Sequence, residues 1–488
     1  MSKLNRDILF LIFEELQDDS KTLFSSLMVN RTWSETVIPI LWKNPWCYNI
    51  DYSNKSNLFN IIASYVFDDI EEYLSGRGLL TISRKQPLYD YLSFCRSINV
   101  EVIQDISTIG SPIDYDQFYI QEIFYNLLMK KCTMLKFLDV RTIKHQIFYF
   151  PEADVHLKSI CEIICDSSID CSYFYGLAHK CQYIQKITFI NKSTKVNRGI
   201  VRLIESQKDL RSFEWKDDFE NDYFIGDPYK DILRALEMKA DSLNHLKMYF
   251  LYIYRYEYTM LQEIFPKFRR LISLLIDDFC FFTKDQLKSL IYRDIEILNV
   301  DYVTLDTASS IVENSGGKLR KILLKYCDYY NYEDYFNQDS LIFIRKIREN
   351  CPRIEYLSLI FSPSEEHFTE FEKLLKTCRN LKSLLIVISN LDNEESFEDI
   401  SNNGKRLLEI LIRSAPTNFR EIRFFDDFKF SLEVLGKFFK NWRGRPALSI
   451  ITSDDVYEEE KYTNLINEHR NYGVIKEFIC VSEKDIYF

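Results

Sequence analysis

Apolar residues recur along the chain at positions i, i+3 and i+5, and the last two are spaced as in a strand that buries one face. Leu319, Ile322 and Leu324 form one such triplet. The triplets begin at Leu135, Ile184, Leu210, Leu243, Leu271, Ile295, Leu319, Ile354, Leu381 and Phe419, with weaker candidates at Cys95 and Ile475. The pattern predicts a strand at each of these places.

Amphipathic segments separate many of the triplets and predict helices. The predicted helices cover residues 231–239, 258–265, 283–292, 305–314, 340–350, 369–377, 404–414 and 432–442. Strands that alternate with helices favour a parallel sheet with the helices packed along one side. The predicted fold class is therefore α/β.

The spacing of the triplets indicates a repeat structure. From Leu243 to Leu319, successive triplets begin 28, 24 and 24 residues apart, which lies within the period of leucine-rich repeats. Residues 319–327 also match the strand core L-x-x-L-x-L-x-x-[N/C] of that family, so the array resembles a degenerate set of such repeats. The resemblance implies a curved solenoid with parallel strands on one face and helices on the other. A non-repetitive α/β domain with accidental spacing is the alternative.

The first helix of the chain is more apolar than a single buried face requires, because every residue from 8 to 13 is apolar. One stripe consists of Leu9, Ile12, Phe13 and Leu16, and a second consists of Leu4, Ile8 and Leu11. A small helical unit buries one stripe in its own core, so we expect the other stripe to face a partner.

These stripes belong to a longer series of ordered positions. They are Leu4, Asp7, Ile8, Leu9, Ile12, Phe13, Leu16, Leu23, Leu27, Val29, Arg31, Trp33, Leu41 and Trp42. The series resembles an F-box, the three-helix unit that docks onto the Skp adaptor of a cullin-RING ubiquitin ligase. Asn5 and Asn30 stand where that family usually has Pro and Cys. A helical hairpin that only caps the following domain is the alternative.

The resemblance also assigns roles to residues and boundaries to the chain. It implies adaptor contacts for Leu4, Ile8, Leu9, Leu11, Ile12, Leu16, Leu23, Val29, Trp33, Leu41 and Trp42. Residues 1–46 form the predicted F-box, and residues 47–130 form an irregular joining region with possible first repeats. Residues 131–488 form the predicted leucine-rich-repeat-like solenoid.

The charge balance argues against some classes of partner. The chain has 62 Lys and Arg against 73 Asp and Glu, a net charge of −11, whereas nucleic acid and anionic membranes attract a positive field. A signal peptide pattern and an apolar stretch of ~20 residues are both missing from the sequence. We therefore expect a protein of the cytoplasm and/or nucleus whose 12 Cys are reduced thiols.

The sequence has no recognisable pattern of an enzyme active site. Gly76 and Gly78 lack the third glycine of a dinucleotide motif, and the six His form no H-E-x-x-H pair. Zinc-binding residue types do cluster at Cys161, Cys165, Cys171, His179 and Cys181. Their spacing matches no known zinc finger, and buried repeat cysteines are the better interpretation. The prediction is a protein that is not an enzyme and needs no cofactor or metal.

Aromatic and acidic residues follow several of the predicted strands. The candidates for a substrate-binding surface are Trp215, Asp217, Asp218, Asp277, Asp278, Tyr329, Tyr330, Tyr332, Asp334, Asp426 and Asp427. Stacked repeats place such residues along one rim, where aromatic rings supply contact area and carboxylates attract cations. This predicts a basic protein target. The alternative is a solvated rim whose aromatic rings pack on neighbouring repeats.

The two resemblances together imply a substrate-recognition subunit of a Skp-cullin-F-box ubiquitin ligase. Such a chain binds the Skp adaptor, through it a cullin, and a protein target that the sequence does not name. Two alternatives stay open at this point. One is a non-catalytic scaffold that holds the Skp adaptor without cullin, and the other is an enzyme with an unrecognised site.

Overall fold

A computed structural model describes residues 5–47, 55–74, 87–193, 195, 197–219, 227–251, 259–277, 282–325, 336–388, 397–425 and 428–488. Its contacts divide the chain into two units, Met1–Lys239 and Ala240–Phe488. In each unit, strands alternate with helices, and neighbouring strands are parallel.

The first unit begins with three helices, each of which starts at a side-chain cap. They are α1 (Arg6–Glu15), α2 (Ser20–Ser26) and α3 (Arg31–Leu41). The side-chain oxygens of Asn5, Asp19 and Asn30 accept hydrogen bonds from backbone N–H groups of the first turns. At the start of α1, Asn5 therefore provides a cap at the position where the F-box family usually has a proline.

The rest of the first unit alternates strands and helices. Its described strands are β1 (Ser97–Asn99), β2 (Phe137–Asp139), β3 (Glu162–Asp166), β4 (Lys186–Asn191) and β5 (Ser212–Asp217). Its further described helices are α4 (Lys55–Ala63), α5 (Phe67–Leu74), α6 (Tyr91–Phe94), α7 (Val100–Gly110), α8 (Asp114–Lys131), α9 (Ala153–His156), α10 (Cys171–Lys180), α11 (Arg198–Ser206) and α12 (Lys230–Glu237). The parallel register aligns one fully buried residue from each strand, namely Ile98, Leu138, Ile163, Ile187 and Phe213.

The second unit repeats this arrangement. Its described strands are β6 (His245–Tyr249), β7 (Ser273–Ile276), β8 (Ile297–Asp301), β9 (Lys321–Lys325), β10 (Tyr356–Phe361), β11 (Ser383–Ile388), β12 (Glu421–Phe424), β13 (Leu448–Thr452) and β14 (Ile475–Cys480). Its described helices are α13 (Thr259–Ile264), α14 (Lys284–Leu287), α15 (Leu305–Glu313), α16 (Phe336–Asn350), α17 (Glu365–Thr377), α18 (Phe397–Ser414), α19 (Leu432–Trp442) and α20 (Glu460–Asn471). The aligned residues are Leu246, Leu274, Leu298, Ile322, Leu357, Leu384, Ile422 and Ile450.

The prediction of an α/β fold with repeated parallel strands is confirmed. Each predicted triplet, including the two weaker candidates, lies at a strand, and its second residue is the one that the register aligns. Strands β3 and β13 were not predicted. The helix predicted over residues 283–292 is shorter than expected, since α14 ends at Leu287.

No helix in the described part of the chain combines the length and apolar character that crossing a lipid bilayer requires.

The end of the three-helix region is hydrogen-bonded directly to the first strand. The carbonyl oxygen of Lys43 accepts the N–H of Arg96 at 2.9 Å, just before β1. The Trp46 indole donates to the carbonyl oxygen of Ser97 at 2.9 Å, and the Ser97 hydroxyl donates to the side chain of Asn44 at 2.8 Å. The three helices are therefore fixed to the beginning of the repeats in this unit.

A first strand lies inside the predicted joining region of residues 47–130. Strand β1 belongs to that region and pairs in parallel with β2 beyond it. The possible first repeats in this region stay a prediction. The predicted boundaries at residues 46 and 130 stay predictions.

Candidate functional site

The inner faces of α1, α2 and α3 form one small apolar core. Its buried residues are Leu9, Phe13, Leu23, Val37, Ile40 and Leu41, and Leu16, Leu27, Trp33 and Trp42 pack against it partly buried. The rings of Phe13 and Trp33 meet edge to face, with 5.2 Å between their centroids. The core is therefore complete within the described part of the unit.

Helices α1 and α2 and the turn after α2 expose a second set of apolar residues, which we call the outer apolar surface. It consists of Ile8, Leu11, Ile12, Phe24, Met28 and Val29. On α1, Ile8, Leu11 and Ile12 are spaced i, i+3 and i+4 and so share one helix face. Leu11 is 62% exposed, and Met28, just after α2, is 88% exposed.

The predicted adaptor contacts differ in their exposure. Ile8, Leu11, Ile12 and Val29 are exposed and available to a partner. Leu9, Leu23 and Leu41 lie in the core, so their assignment as adaptor contacts is wrong, because a buried side chain positions the helices without touching a partner. Leu16, Trp33 and Trp42 are partly buried against that core, and Leu4 lies outside the described residues.

The exposure of Ile12 contradicts the predicted division of α1 into stripes. The sequence pattern places it on the inner stripe with Leu9 and Phe13, but its side chain is exposed. Phe24 and Met28 were missed because α2 is only seven residues long and its sequence shows too little periodicity to indicate an exposed face. Their i, i+4 spacing is a signal in the sequence that could have indicated them.

The cap of α2 fixes the helix that carries Phe24. The Asp19 carboxylate accepts the Thr22 N–H at 3.0 Å and the Thr22 hydroxyl at 2.6 Å. These two hydrogen bonds hold the pKa of the Asp19 carboxyl below its usual value. The carboxylate therefore stays ionised near neutral pH, where it also favours the helix N-terminus.

Trp215 and Asp217, two of the predicted substrate contacts, are buried, and this part of the prediction is wrong. The Trp215 indole donates to Asp217 Oδ1 at 2.8 Å, and the Tyr229 hydroxyl donates to Asp217 Oδ2 at 2.6 Å. The Asn191 amide also donates to Asp217 Oδ1, at 2.9 Å. Asp217 thus satisfies three donors between neighbouring elements, which matches the alternative that aromatic residues here pack on adjacent repeats.

The other predicted rim residues keep their status as candidates. Asp218 is exposed, and its N–H donates to the carbonyl oxygen of Asn191 at 2.7 Å. Asp277 is partly exposed and directly follows β7. Outside the described residues lie Asp278, Tyr329, Tyr330, Tyr332, Asp334, Asp426 and Asp427.

The cysteines among the candidate zinc ligands differ in their burial. Cys165 and Cys181 are buried, and burial raises the pKa of the Cys181 thiol to about 12. Burial, together with the neighbouring Asp166, raises the pKa of the Cys165 thiol as well. Among the described residues, no three His, Cys, Asp or Glu side chains are grouped to hold a metal ion.

Comparisons with known proteins give a likeness to solved structures but none to a family model or a curated sequence. No protein-family model matches the sequence, and no curated protein sequence is similar to it. A chain in the crystal structure of the Rad7 and Elc1 complex in yeast is similar over 82% of this chain and 84% of that chain, with 12% sequence identity and a TM-score of 0.38. A likeness of this size carries no inference about function.

Proposed function

We propose that the three-helix unit docks a Skp-type adaptor and that the chain is a substrate-recognition subunit of a Skp-cullin-F-box ubiquitin ligase. The outer apolar surface carries this proposal, because it lies on helices whose own core is already complete. The F-box-like order of residues 4–42 supports the choice of partner.

Exposed apolar residues recur within residues 8–29 of the chain. Single exposed apolar side chains are normal, but a group of them on one small unit is typical of an interface. Ile8, Leu11 and Ile12 have the spacing with which a helix enters an apolar groove. Burying each such side chain contributes about 1.5–3 kcal/mol before the costs of association are subtracted.

The chain has a positioning role in this proposal and catalyses nothing itself. The repeats hold a protein target while the docked adaptor and a cullin bring the transfer machinery of the ligase. The gain is a high local concentration of the target next to that machinery. We propose that this takes place in the cytoplasm and/or nucleus without a cofactor or metal, and that the rim residue Asp277 contributes to holding a basic target.

A non-catalytic scaffold that holds the adaptor without cullin is the second candidate. The same outer apolar surface supports it, because adaptor docking is common to both functions. Co-purification decides between them. A cullin recovered together with the adaptor supports the ligase subunit, and an adaptor recovered without cullin supports the scaffold.

The test compares three tagged full-length chains after proteasome inhibition, with mass spectrometry of what co-purifies. Wild-type chain is expected to recover a Skp-type adaptor, whereas Ile8→Asp combined with Leu11→Asp is expected to lose it. Phe10→Asp is the matched control, because Phe10 is also exposed but lies about 200° around α1 from Ile8. Equal recovery of the adaptor by the wild-type chain and the double variant refutes the proposal.

A further inference from the structure

Residues 481–488 fold back over the sheet of the second unit. The N–H of Val481 donates to the carbonyl oxygen of Thr452 at 2.9 Å, which holds the segment beside β13. A turn then reverses the chain, closed by the Asp485 N–H on the carbonyl oxygen of Ser482 at 2.9 Å and by the Ser482 hydroxyl on Asp485 at 2.6 Å. Residues 486–488 therefore return across the strands.

The segment covers the sheet face that is opposite to the aligned triplet residues. On β11, Leu384 and Ile386 belong to the triplet face, so Leu385 and Val387 point the other way. Ile486 is fully buried and forms an apolar cluster with Leu385 and Val387. The partly buried residues around this cluster are Phe425, Ile451, Val481, Tyr487 and Phe488.

Two aromatic side chains extend the contact from this anchor to the neighbouring strands. The ring of Tyr487 lies 5.4 Å from that of Phe425, and the Lys325 ammonium is 5.6 Å from the centroid of Tyr487. The ring of Phe488 meets Tyr356 edge to face at 6.1 Å. The three residues thus contact side chains from β9 to β13 or directly beside them.

Arg423 on β12 holds the backbone of the segment. Its guanidinium donates to the carbonyl oxygens of Ile486 at 3.1 Å and Tyr487 at 2.8 Å, and it lies 4.6 Å from the centroid of the Phe488 ring. Glu421 accepts a hydrogen bond from Arg423 Nε at 2.7 Å and fixes the guanidinium. Carbonyl contacts of this kind bind any extended backbone, while the pockets for the side chains select the residues.

Few side chains of residues 482–488 are buried. Residues 482–485 are exposed, and the buried anchor of residues 486–488 is the single side chain of Ile486. A segment held by so few buried contacts opens at a lower free energy than the strands beneath it. The face under it is continuous with Leu323 and Asn299, which are partly exposed on β9 and β8.

We propose that the face of β10 to β13 is a peptide-binding site for an extended segment with an aliphatic residue followed by two aromatic residues. Residues 486–488 occupy this site within the chain, so a partner that carries the same motif must displace them. This inference goes beyond adaptor docking and does not depend on it, because the site lies in the second unit and uses other residues.

The test measures binding of a fluorescent peptide with the sequence of residues 481–488, VSEKDIYF, to full-length chains by anisotropy. Ile486→Asp releases the internal segment and is expected to bind the peptide at least about tenfold more tightly than the wild-type chain. Ile113→Asp is the matched control. It makes the same change at an isoleucine of the first unit that is 50% exposed, and its affinity is expected to equal that of the wild type.

Two further measurements make the result decisive. Arg423→Lys in the Ile486→Asp chain removes the paired carbonyl contacts and is expected to weaken peptide binding about tenfold. If Ile486→Asp does not fold by circular dichroism, Ile486→Ala takes its place and is expected to bind the peptide more tightly than the wild type. A folded Ile486 variant that binds the peptide no better than the wild-type chain overturns the proposal.

Discussion

Leu9 and Leu11 are two residues apart on α1 and have opposite roles. Leu9 is 2% exposed in the core of the three-helix unit, whereas Leu11 is 62% exposed on the outer apolar surface. In our proposal, the core residues determine whether the unit folds, and the outer residues determine whether it binds an adaptor. A substitution that tests docking must therefore avoid Leu9.

The first prediction compares the stability of Leu9→Ala and Leu11→Ala. Leu9→Ala leaves a cavity and is expected to lower the free energy of unfolding of the three-helix region by about 2–5 kcal/mol. Leu11→Ala removes no buried contact and is expected to change it by less than about 0.5 kcal/mol. Urea unfolding followed by circular dichroism measures both. Similar losses for the two variants would mean that Leu11 is part of the core.

The second prediction concerns the buried carboxylate of Asp217. Asp217→Ala leaves the Trp215 indole and the Tyr229 hydroxyl without their acceptor and is expected to cost about 1–3 kcal/mol of unfolding free energy. Asp218→Ala, at the exposed neighbour, is the control and is expected to stay within about 0.5 kcal/mol of the wild type. Equal stability of the two variants contradicts a structural role for Asp217.

At the scale of elements, a buried histidine links two neighbouring helices. His367 in the first turn of α17 lies 2.8 Å from the hydroxyl of Ser340 on α16 and 2.8 Å from that of Ser364, the N-cap of its own helix. Burial lowers the pKa of the His367 imidazole to about 4. The folded chain therefore keeps this side chain neutral, and protonation opposes the packing of α16 on α17.

The third prediction follows from this pKa. Because the folded pKa is below the ordinary value of 6.5, the contribution of His367 is full above pH 6.5 and falls as the pH drops towards 4. The loss approaches about 1.4 kcal/mol per pH unit in that window. Urea unfolding at pH 7 and pH 5 is expected to show a larger decrease for the wild type than for His367→Gln. Equal decreases in the two chains would contradict it.

Strands that carry all three apolar positions of the triplet pattern were predictable from the sequence, with one exception. A strand that lacks one of these positions was not predictable. The triplet at Leu319 specifies β9 because two alternating residues and one earlier residue must all be buried. Strand β13 was missed because its aligned residue Ile450 has only the small Ala447 three residues before it and the polar Thr452 two residues after it. Strand β3 is the exception, because it was missed although Ile160, Ile163 and Cys165 fit the spacing.

The site was less predictable than the fold. Sequence spacing indicated that α1 has a surplus apolar stripe, and the structure places Ile8 and Leu11 on its exposed side. Ile12 lies at the border between the two stripes of α1. Spacing alone does not tell whether a residue at this border faces inward, and Ile12 was therefore misplaced. The buried Trp215 indole donates to Asp217, and Asp217 also accepts from Tyr229, just before α12. A local apolar pattern does not contain these contacts, so the burial of Trp215 was not predictable.

At the scale of the whole molecule, the proposed docking unit and the first repeats form one body within the first unit. Trp46 is buried and donates to Ser97 of β1, and Lys43 accepts from Arg96 beside the same strand. In our proposal, an adaptor bound to the outer apolar surface is held at a fixed orientation to these repeats. Such rigidity suits a subunit whose work is positioning.

The fourth prediction separates this junction from docking. Trp46→Ala is expected to lower the unfolding free energy of the first unit by about 3–5 kcal/mol, because a large buried side chain and its hydrogen bond are lost. Its affinity for the adaptor is expected to be unchanged at a temperature where the variant is folded, because Trp46 is not on the outer apolar surface. Loss of adaptor binding by the folded variant would place the docking surface elsewhere.

The most direct test of the central claim is calorimetric titration of the full-length chain with a purified Skp-type adaptor. The wild-type chain and Phe10→Asp are expected to bind with the same affinity. Leu11→Asp is expected to bind at least about 30-fold more weakly, because a charge then replaces an apolar anchor of about 2 kcal/mol or more. Binding of Leu11→Asp with the wild-type affinity, or no binding by the wild-type chain, would contradict the account.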